Sequence, residues 1–372
     1  MERLYDKLKA YSESDFYAFH MPGHKRNKTL LGIELPYDLD ITEIDGFDDL
    51  HHADGILKEE QERAARVFGA EESHFLVNGS TAGILSAVMG CTHRGDKILV
   101  ARHCHKSIYH AIYMNGLVPR YVYPEFDISM HMNGEISKED VAKALAAEPD
   151  IKAVVIVSPN YDGVVSDVKG IAEVAHSYRI PLIVDEAHGP HFGFHPAFPG
   201  RANDLGADVV INSLHKTLPS LTQTAILHIN GKLANRRRIK KYLDMLQSSS
   251  PSYIFMASLD ACVDFLDGKC EEAFELYVER LQKFREELKP LQHLQILRTE
   301  HYDISKVVIS TANANITSPE LADRLRKEYH LEMEMTGGTY VLAMTTVADT
   351  QEGLNRLKAA LLEIDDQLEA KT

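Results

Sequence analysis

The feature that most constrains this chain is an alternation. Short apolar, β-branched runs recur along it, separated by segments with helical spacing. The runs are H-F-L-V (74–77), K-I-L-V-A (97–101), L-V-P-R-Y-V-Y (117–123), K-A-V-V-I-V (152–157), P-L-I-V-D (181–185) and A-D-V-V-I-N (207–212). Helical spacing covers residues 56–68, 84–91, 137–147 and 168–178. Runs that are apolar at every position need cover on both faces of the sheet. The pattern therefore predicts a mainly parallel sheet with helices on each side.

Ahead of this pattern, residues 1–45 are broken by Pro22, Gly23, Gly32 and Pro36, and read as a short helix followed by an irregular arm. Past Pro251 the character changes. A long helical stretch over 253–290 breaks near Asp267 and Gly268. K-V-V-I-S-T (306–311), a helix over 318–328, Y-V-L-A-M-T-T (340–346) and a helix over 350–369 then make a small α+β unit. The expected division is an arm (1–45), a large α/β domain (46–255) and a small C-terminal α+β domain (256–372).

Charge narrows the partners. Lys plus Arg total 40 against 55 for Asp plus Glu, a net charge of −15. Phosphate backbones call for a basic surface, so nucleic acid is not an expected partner. The four cysteines form no C-x-x-C pair, which fits a reducing compartment. The opening M-E-R-L-Y-D-K-L-K-A lacks a signal peptide's apolar core, and no apolar run approaches the ~20 residues of a membrane span. A soluble cytoplasmic protein is expected.

Candidate chemistry gathers where strands end, because ligands of open parallel sheets bind at the strands' carboxyl ends. Lys216 lies in N-S-L-H-K-T-L-P-S-L-T-Q (212–223), just past one such strand, with Ser213 and His215 beside it. It could form a Schiff base with an aldehyde cofactor, or be an exposed loop lysine beside a helix cap. Asp185 closes the strand P-L-I-V-D and leads into E-A-H-G-P-H (186–191). A carboxylate there needs a cation, such as a pyridinium nitrogen, or several backbone amides. His188 follows three residues later.

N-G-S-T-A-G (78–83) reads as a turn into a helix beginning near Ile84. Gly79 permits an unusual backbone, and the amides of Ser80 and Thr81 suit a phosphate, or an ordinary cap. In A-R-H-C-H-K-S (101–107), His105 is preferred over His103 as an imidazole that could stack on a heteroaromatic ring. No P-loop, G-x-G-x-x-G or zinc spacing is present, and none of the histidine clusters has metal-ligand spacing, so no metal is expected.

Taken together these segments resemble the Orn/Lys/Arg decarboxylase family of pyridoxal phosphate enzymes, in the aspartate-aminotransferase superfamily. The matching motifs are F-H-M-P-G-H-K (19–25), D-G-F-D-D-L-H (45–51), N-G-S-T-A-G, R-H-C-H-K-S, D-E-A-H-G-P-H, S-L-H-K-T-L-P-S-L-T-Q and Q-S-S-S-P-S-Y (247–253). The resemblance implies a fold type I, PLP-dependent transferase-like architecture, with a large, mostly parallel α/β/α domain and a small C-terminal α+β domain. It implies pyridoxal 5'-phosphate as cofactor and α-decarboxylation of arginine, lysine or ornithine.

By position, Lys216 would bond the cofactor's aldehyde, Asp185 would pair with the ring nitrogen, and His105 would stack on the ring. Gly79, Ser80, Thr81, Ser213 and His215 would hold the phosphate, and His188 would lie near the phenolic oxygen. Ser249 and Ser250 would reach a neighbouring subunit's phosphate, which implies a homodimer with shared sites. Lys216, His105 and His188 are the candidate proton donors. Glu332 or Glu334 could meet the substrate's distal cation. The family's larger members carry a further C-terminal domain, so this chain reads as a short form. Transamination, aldol cleavage or a non-catalytic cofactor-binding role are the alternatives on the same fold.

Overall fold

The computed structural model describes residues 2–128 and 130–371. The strands in chain order are β1 (Glu72–Leu76), β2 (Lys97–Ala101), β3 (Val118–Val122), β4 (Phe126–Asp127), β5 (Met132–Asn133), β6 (Ile151–Val157) and β7 (Leu182–Asp185). They continue with β8 (Val209–Asn212), β9 (Ala225–Ile229), β10 (Gln295–Leu297), β11 (Lys306–Ser310), β12 (Met335–Thr336) and β13 (Tyr340–Met344). The helices are α1 (Leu4–Ser12), α2 (Ile56–Val67), α3 (Gly79–Cys91), α4 (Lys106–Asn115), α5 (Lys138–Ala147) and α6 (Val168–Ser177). After them come α7 (Leu214–Thr217), α8 (Arg236–Leu246), α9 (Tyr253–Leu266), α10 (Glu271–Glu287), α11 (Ser318–Tyr329) and α12 (Gln351–Asp365).

Seven strands form the main sheet in the order β1-β9-β8-β7-β6-β2-β3. The five from β8 to β3 pair in parallel, and β9 runs against both of its neighbours. The expectation of a mainly parallel sheet is met. The antiparallel β9 was not expected. Its run A-I-L-H-I follows β8 across a connection holding only the one-turn helix α7, too short for a crossover.

The continuous apolar runs follow from the period of two along a strand. Ile98, Val100, Val155, Ile183 and Ile211 face one side, where they pack with Ile84 and Val88 of α3, Ile108 of α4 and Ile239 of α8. Leu99, Val154, Ile156, Val184 and Val210 face the other, against Val141 of α5 and Ile171 of α6. A four-stranded antiparallel sheet, β10-β11-β13-β12, packs Val307, Ile309 and Val341 on α11 and α12. Its opposite face turns Val308 and Leu342 toward Tyr302, Val164 and Met132. Among the described residues, no helix is long and apolar enough to cross a membrane.

Helices α3 and α8 cross at Gly90, where an added Cβ would stand 2.8 Å from both the Cα and the backbone nitrogen of Ile239. A helix backbone cannot yield as a side chain can. Gly90→Ala is therefore expected to destabilise the chain by about 1–3 kcal/mol, read as a lower urea midpoint with an unchanged slope.

Candidate active site

The chain's topology brings four loops to one edge. Residues 102–107 follow β2, 158–163 follow β6, 186–191 follow β7, and 213–217 follow β8. All four strands are parallel neighbours, so these loops converge at their carboxyl ends. A cavity of about 510 Å³ opens there. Of the residues singled out from the sequence, Ser80, His105, Asp185, His188 and Lys216 line it.

Lys216 is half-buried on α7, and its Nζ lies 2.9 Å from Nε2 of His188. Burial lowers the lysine's pKa, while the charge of Asp185 acts to raise it. Asp185 is 3% exposed, and its Oδ1 accepts the amide of Ala187 at 3.1 Å. Burial pushes its carboxyl up, against the pull of Lys216. His188 is held well below its ordinary value by burial, then by the positive charges of Lys306 and Lys216. With Nε2 accepting from Lys216, its proton sits on Nδ1, which is buried without a hydrogen-bond partner among the described residues.

His105 caps α4. Its Nδ1 lies 2.8 Å from the hydroxyl of Ser107 and accepts that residue's amide at 3.3 Å, which fixes the ring at the cavity wall. Burial, then the charge of Lys216, lowers its pKa. His215 is lowered by burial, and its Nδ1 is engaged by the carbonyl of Thr224 at 2.8 Å.

The phosphate end is built from backbone. Helix α3 begins at Gly79, five residues earlier than the apolar spacing suggests, so Ser80 and Thr81 sit in its first turn. Gly79 takes φ +71°, where a Cβ would be strained. Its amide donates to the carbonyl of Gln223 at 2.9 Å, and Gln223 Nε2 donates to the carbonyl of Val77 at 2.7 Å. The N-cap residue Asn78 does not cap the helix with its side chain; its Oδ1 accepts the amide of Ser248 at 3.0 Å. Ser213 Oγ is wholly buried and unpartnered among the described residues. An uncapped helix N-terminus, an orphaned buried hydroxyl, a half-buried lysine and a buried carboxyl group are the set that pyridoxal phosphate would need.

Ser249 and Ser250 are exposed and stay outside the cavity of their own chain. Gly79, Thr81, Ser213 and His215 do not line it. Tyr161 went unnoticed in the sequence, yet its ring lies 4.6 Å from that of His188 and its hydroxyl donates to Glu334. It stands in S-P-N-Y-D-G directly after β6, where the strand-end rule that picked out Asp185 applies equally. His103 and Cys104 also line the cavity; burial lowers the imidazole to about 4 and pushes the thiol to about 12.

The model of the family "Orn/Lys/Arg decarboxylase, major domain" matches residues 3–317. An arginine decarboxylase of Bacillus subtilis is 34% identical over 98% of this chain and 77% of its own length. The solved lysine decarboxylase LdcF of Francisella novicida superposes with a TM-score of 0.84 at 20% identity, over 98% of this chain. This chain spans 60% of that one. A structure of SPT with PLP matches at TM-score 0.65 and 16% identity, over 84% of this chain and 76% of its own. The architecture is thus that of PLP enzymes of fold type I. The chain belongs to the Orn/Lys/Arg decarboxylase family.

Proposed function

We propose that this chain is a pyridoxal 5'-phosphate-dependent α-decarboxylase of a basic amino acid, with arginine the first candidate. The observation that carries the reading is the cavity at the sheet's carboxyl edge, where Lys216, Asp185 and His188 are brought together. Identity to an arginine decarboxylase over nearly the whole chain supports the substrate class.

Lys216 would bond the cofactor's aldehyde, and Asp185 would pair with its ring nitrogen. His105 would hold the ring, and His188 would serve the phenolic oxygen. The first turn of α3 (Gly79, Ser80, Thr81) with Ser213 and His215 would hold the phosphate, and Ser249 and Ser250 would serve the neighbouring subunit. When bound, the cofactor supplies a sink for the electrons left by the departing carboxylate.

The chain's own residues do the rest. Asp185 is buried beside the cavity, where Lys216 and the amide of Ala187 act against the burial that disfavours its charge. Burial, with the charge of Lys216, lowers His105 and His188, and Lys216, its Nζ 2.9 Å from His188, is our candidate proton donor to the carbon that loses carbon dioxide. Glu334, joined to the cavity wall through Tyr161, adds negative potential that suits a cationic substrate. Transamination is less well served. Arg324 and Arg326, on α11, are engaged by Glu328 and Asp323, and Arg298 does not line the cavity.

The test is a product screen: holoenzyme is given arginine, lysine and ornithine separately, and the amines are identified by mass. One basic amino acid should yield its amine. An oxo acid in place of an amine, or no product from any of them, would overturn the reading.

We further propose a cytoplasmic homodimer with composite sites, and the division at 45 and 255 into arm, large domain and small domain. The arm leaves Phe16, Tyr17, Phe19, Met21, Leu30 and Leu31 more than half exposed, an apolar surface that a second copy would cover. Lys216→Ala and a Ser248–Ser250 alanine variant, each inactive alone, should recover activity when their subunits exchange. No recovery after confirmed exchange would mean that each chain builds its site alone.

A further inference from the structure

A buried polar chain runs from the turn that carries Lys216 into the four-stranded sheet. Thr217 Oγ1 lies 2.9 Å from Nδ1 of His191. Nε2 of the same ring lies 3.0 Å from Asp303 Oδ1. Ser305 donates to Asp303 from its amide at 2.9 Å and from its hydroxyl at 2.7 Å, and Lys306 Nζ stands 3.4 Å from Oδ2. Thr217, His191, Asp303, Ser305 and Lys306 are each exposed by 1% or less.

Stability alone does not account for such a chain. Taking a carboxylate and an ammonium out of water costs several kcal/mol per ion, and apolar residues would fill the space more cheaply. Burial acts to raise the carboxyl of Asp303, yet the positive charge facing it from His191 and Lys306 brings it below its ordinary value. An ionised carboxylate only accepts, so His191 donates from Nε2. Its Nδ1 shares a second hydrogen bond with the hydroxyl of Thr217, which fixes the threonine's rotamer. Helix α7 has one turn, and Ser213 makes no side-chain cap for it. The orientation of Lys216 therefore needs an outside anchor.

We propose that His191 and Asp303 are positioning residues for Lys216: through Thr217 they fix the one-turn helix that presents it and tie that helix to the four-stranded sheet. The inference rests on Lys216 being the reacting lysine, as proposed above. The anchor also has an electrostatic side. The groups whose charge reaches Lys216 are Asp185 and Glu334, which favour its ammonium, and Lys306, which opposes it; His188 and His105 face it as well. Neutralising Asp303 would leave Lys306 unopposed, and Lys216 would give up its proton at a lower pH.

Three variants test this: Thr217→Val, which removes only the hydroxyl, Thr217→Ser, which keeps it, and Asp303→Asn. Two readouts are taken. One is kcat and KM for the amino acid that the holoenzyme decarboxylates. The other is the pH midpoint and rate at which Lys216 of the cofactor-free chain reacts with acetic anhydride, followed by peptide mapping. Thr217→Val should lose about tenfold in kcat, the worth of one hydrogen bond, with KM unchanged. It should also change the labelling of Lys216, while Thr217→Ser matches the parent in both. Asp303→Asn should lower the labelling midpoint; if it does not fold, the two threonine variants decide. A Thr217→Val protein that melts earlier but keeps the parent's kcat and labelling would overturn the proposal and leave the chain a structural brace. Absence of decarboxylation in the parent would count against the proposed reaction, and the labelling comparison would still judge the positioning role.

Discussion

Replacing Lys216 with alanine is expected to abolish decarboxylation, by on the order of 10⁴-fold or more, the scale set by removing a covalent nucleophile. The side chain lines the cavity beside His188 and takes no part in the apolar clusters. Fold and thermal midpoint should therefore persist. Borohydride reduction of the parent loaded with pyridoxal phosphate should fix the label on Lys216, and on no residue of the variant. A label on another lysine would assign the chemistry elsewhere.

Asp185→Asn should give the second largest effect. The amide is nearly isosteric, and its carbonyl oxygen can still accept the amide of Ala187. The lost element is charge. We expect turnover to fall by on the order of 10²–10³-fold, or about 3–4 kcal/mol at ~1.4 kcal/mol per tenfold, with cofactor uptake retained. The sign on Lys216 follows as well. Asp185 raises the lysine's pKa, so removing its charge lets the ammonium deprotonate at a lower pH. Near-normal turnover with an unmoved lysine midpoint would make Asp185 a structural acceptor only.

Both variants target residues that the chain announces locally. Lys216 and Asp185 were legible because each follows an uninterrupted apolar run, and a polar residue at the end of a buried strand has few structural reasons to be there. The same logic gave the sheet. Apolar residues at both parities of 97–101 and 152–157 demand cover on two faces, and α3, α4 and α8 on one side with α5 and α6 on the other provide it.

What stayed illegible depends on distance in sequence. Gly79 marked a turn, but its bracing by Gln223 spans 144 positions and leaves no local pattern. His191 stood in the sequence only as a member of a histidine cluster without metal-ligand spacing. Its link to Asp303 is fixed only when the four-stranded sheet docks on the loops after β6 and β7. The first turn of α3 was placed too late because Gly79, Ser80 and Thr81 carry no apolar period. Its helical state comes from packing farther along, where Ile84 and Val88 meet the sheet.

The central claim is the reaction itself, and product stoichiometry tests it most directly. The purified chain, loaded with pyridoxal phosphate, would be given arginine labelled at the carboxyl carbon, or whichever of lysine and ornithine the screen selects. The account predicts one labelled carbon dioxide released for each amine formed, with no oxo acid. Amine nitrogen lost without labelled carbon dioxide, or complete retention of the label, would contradict it.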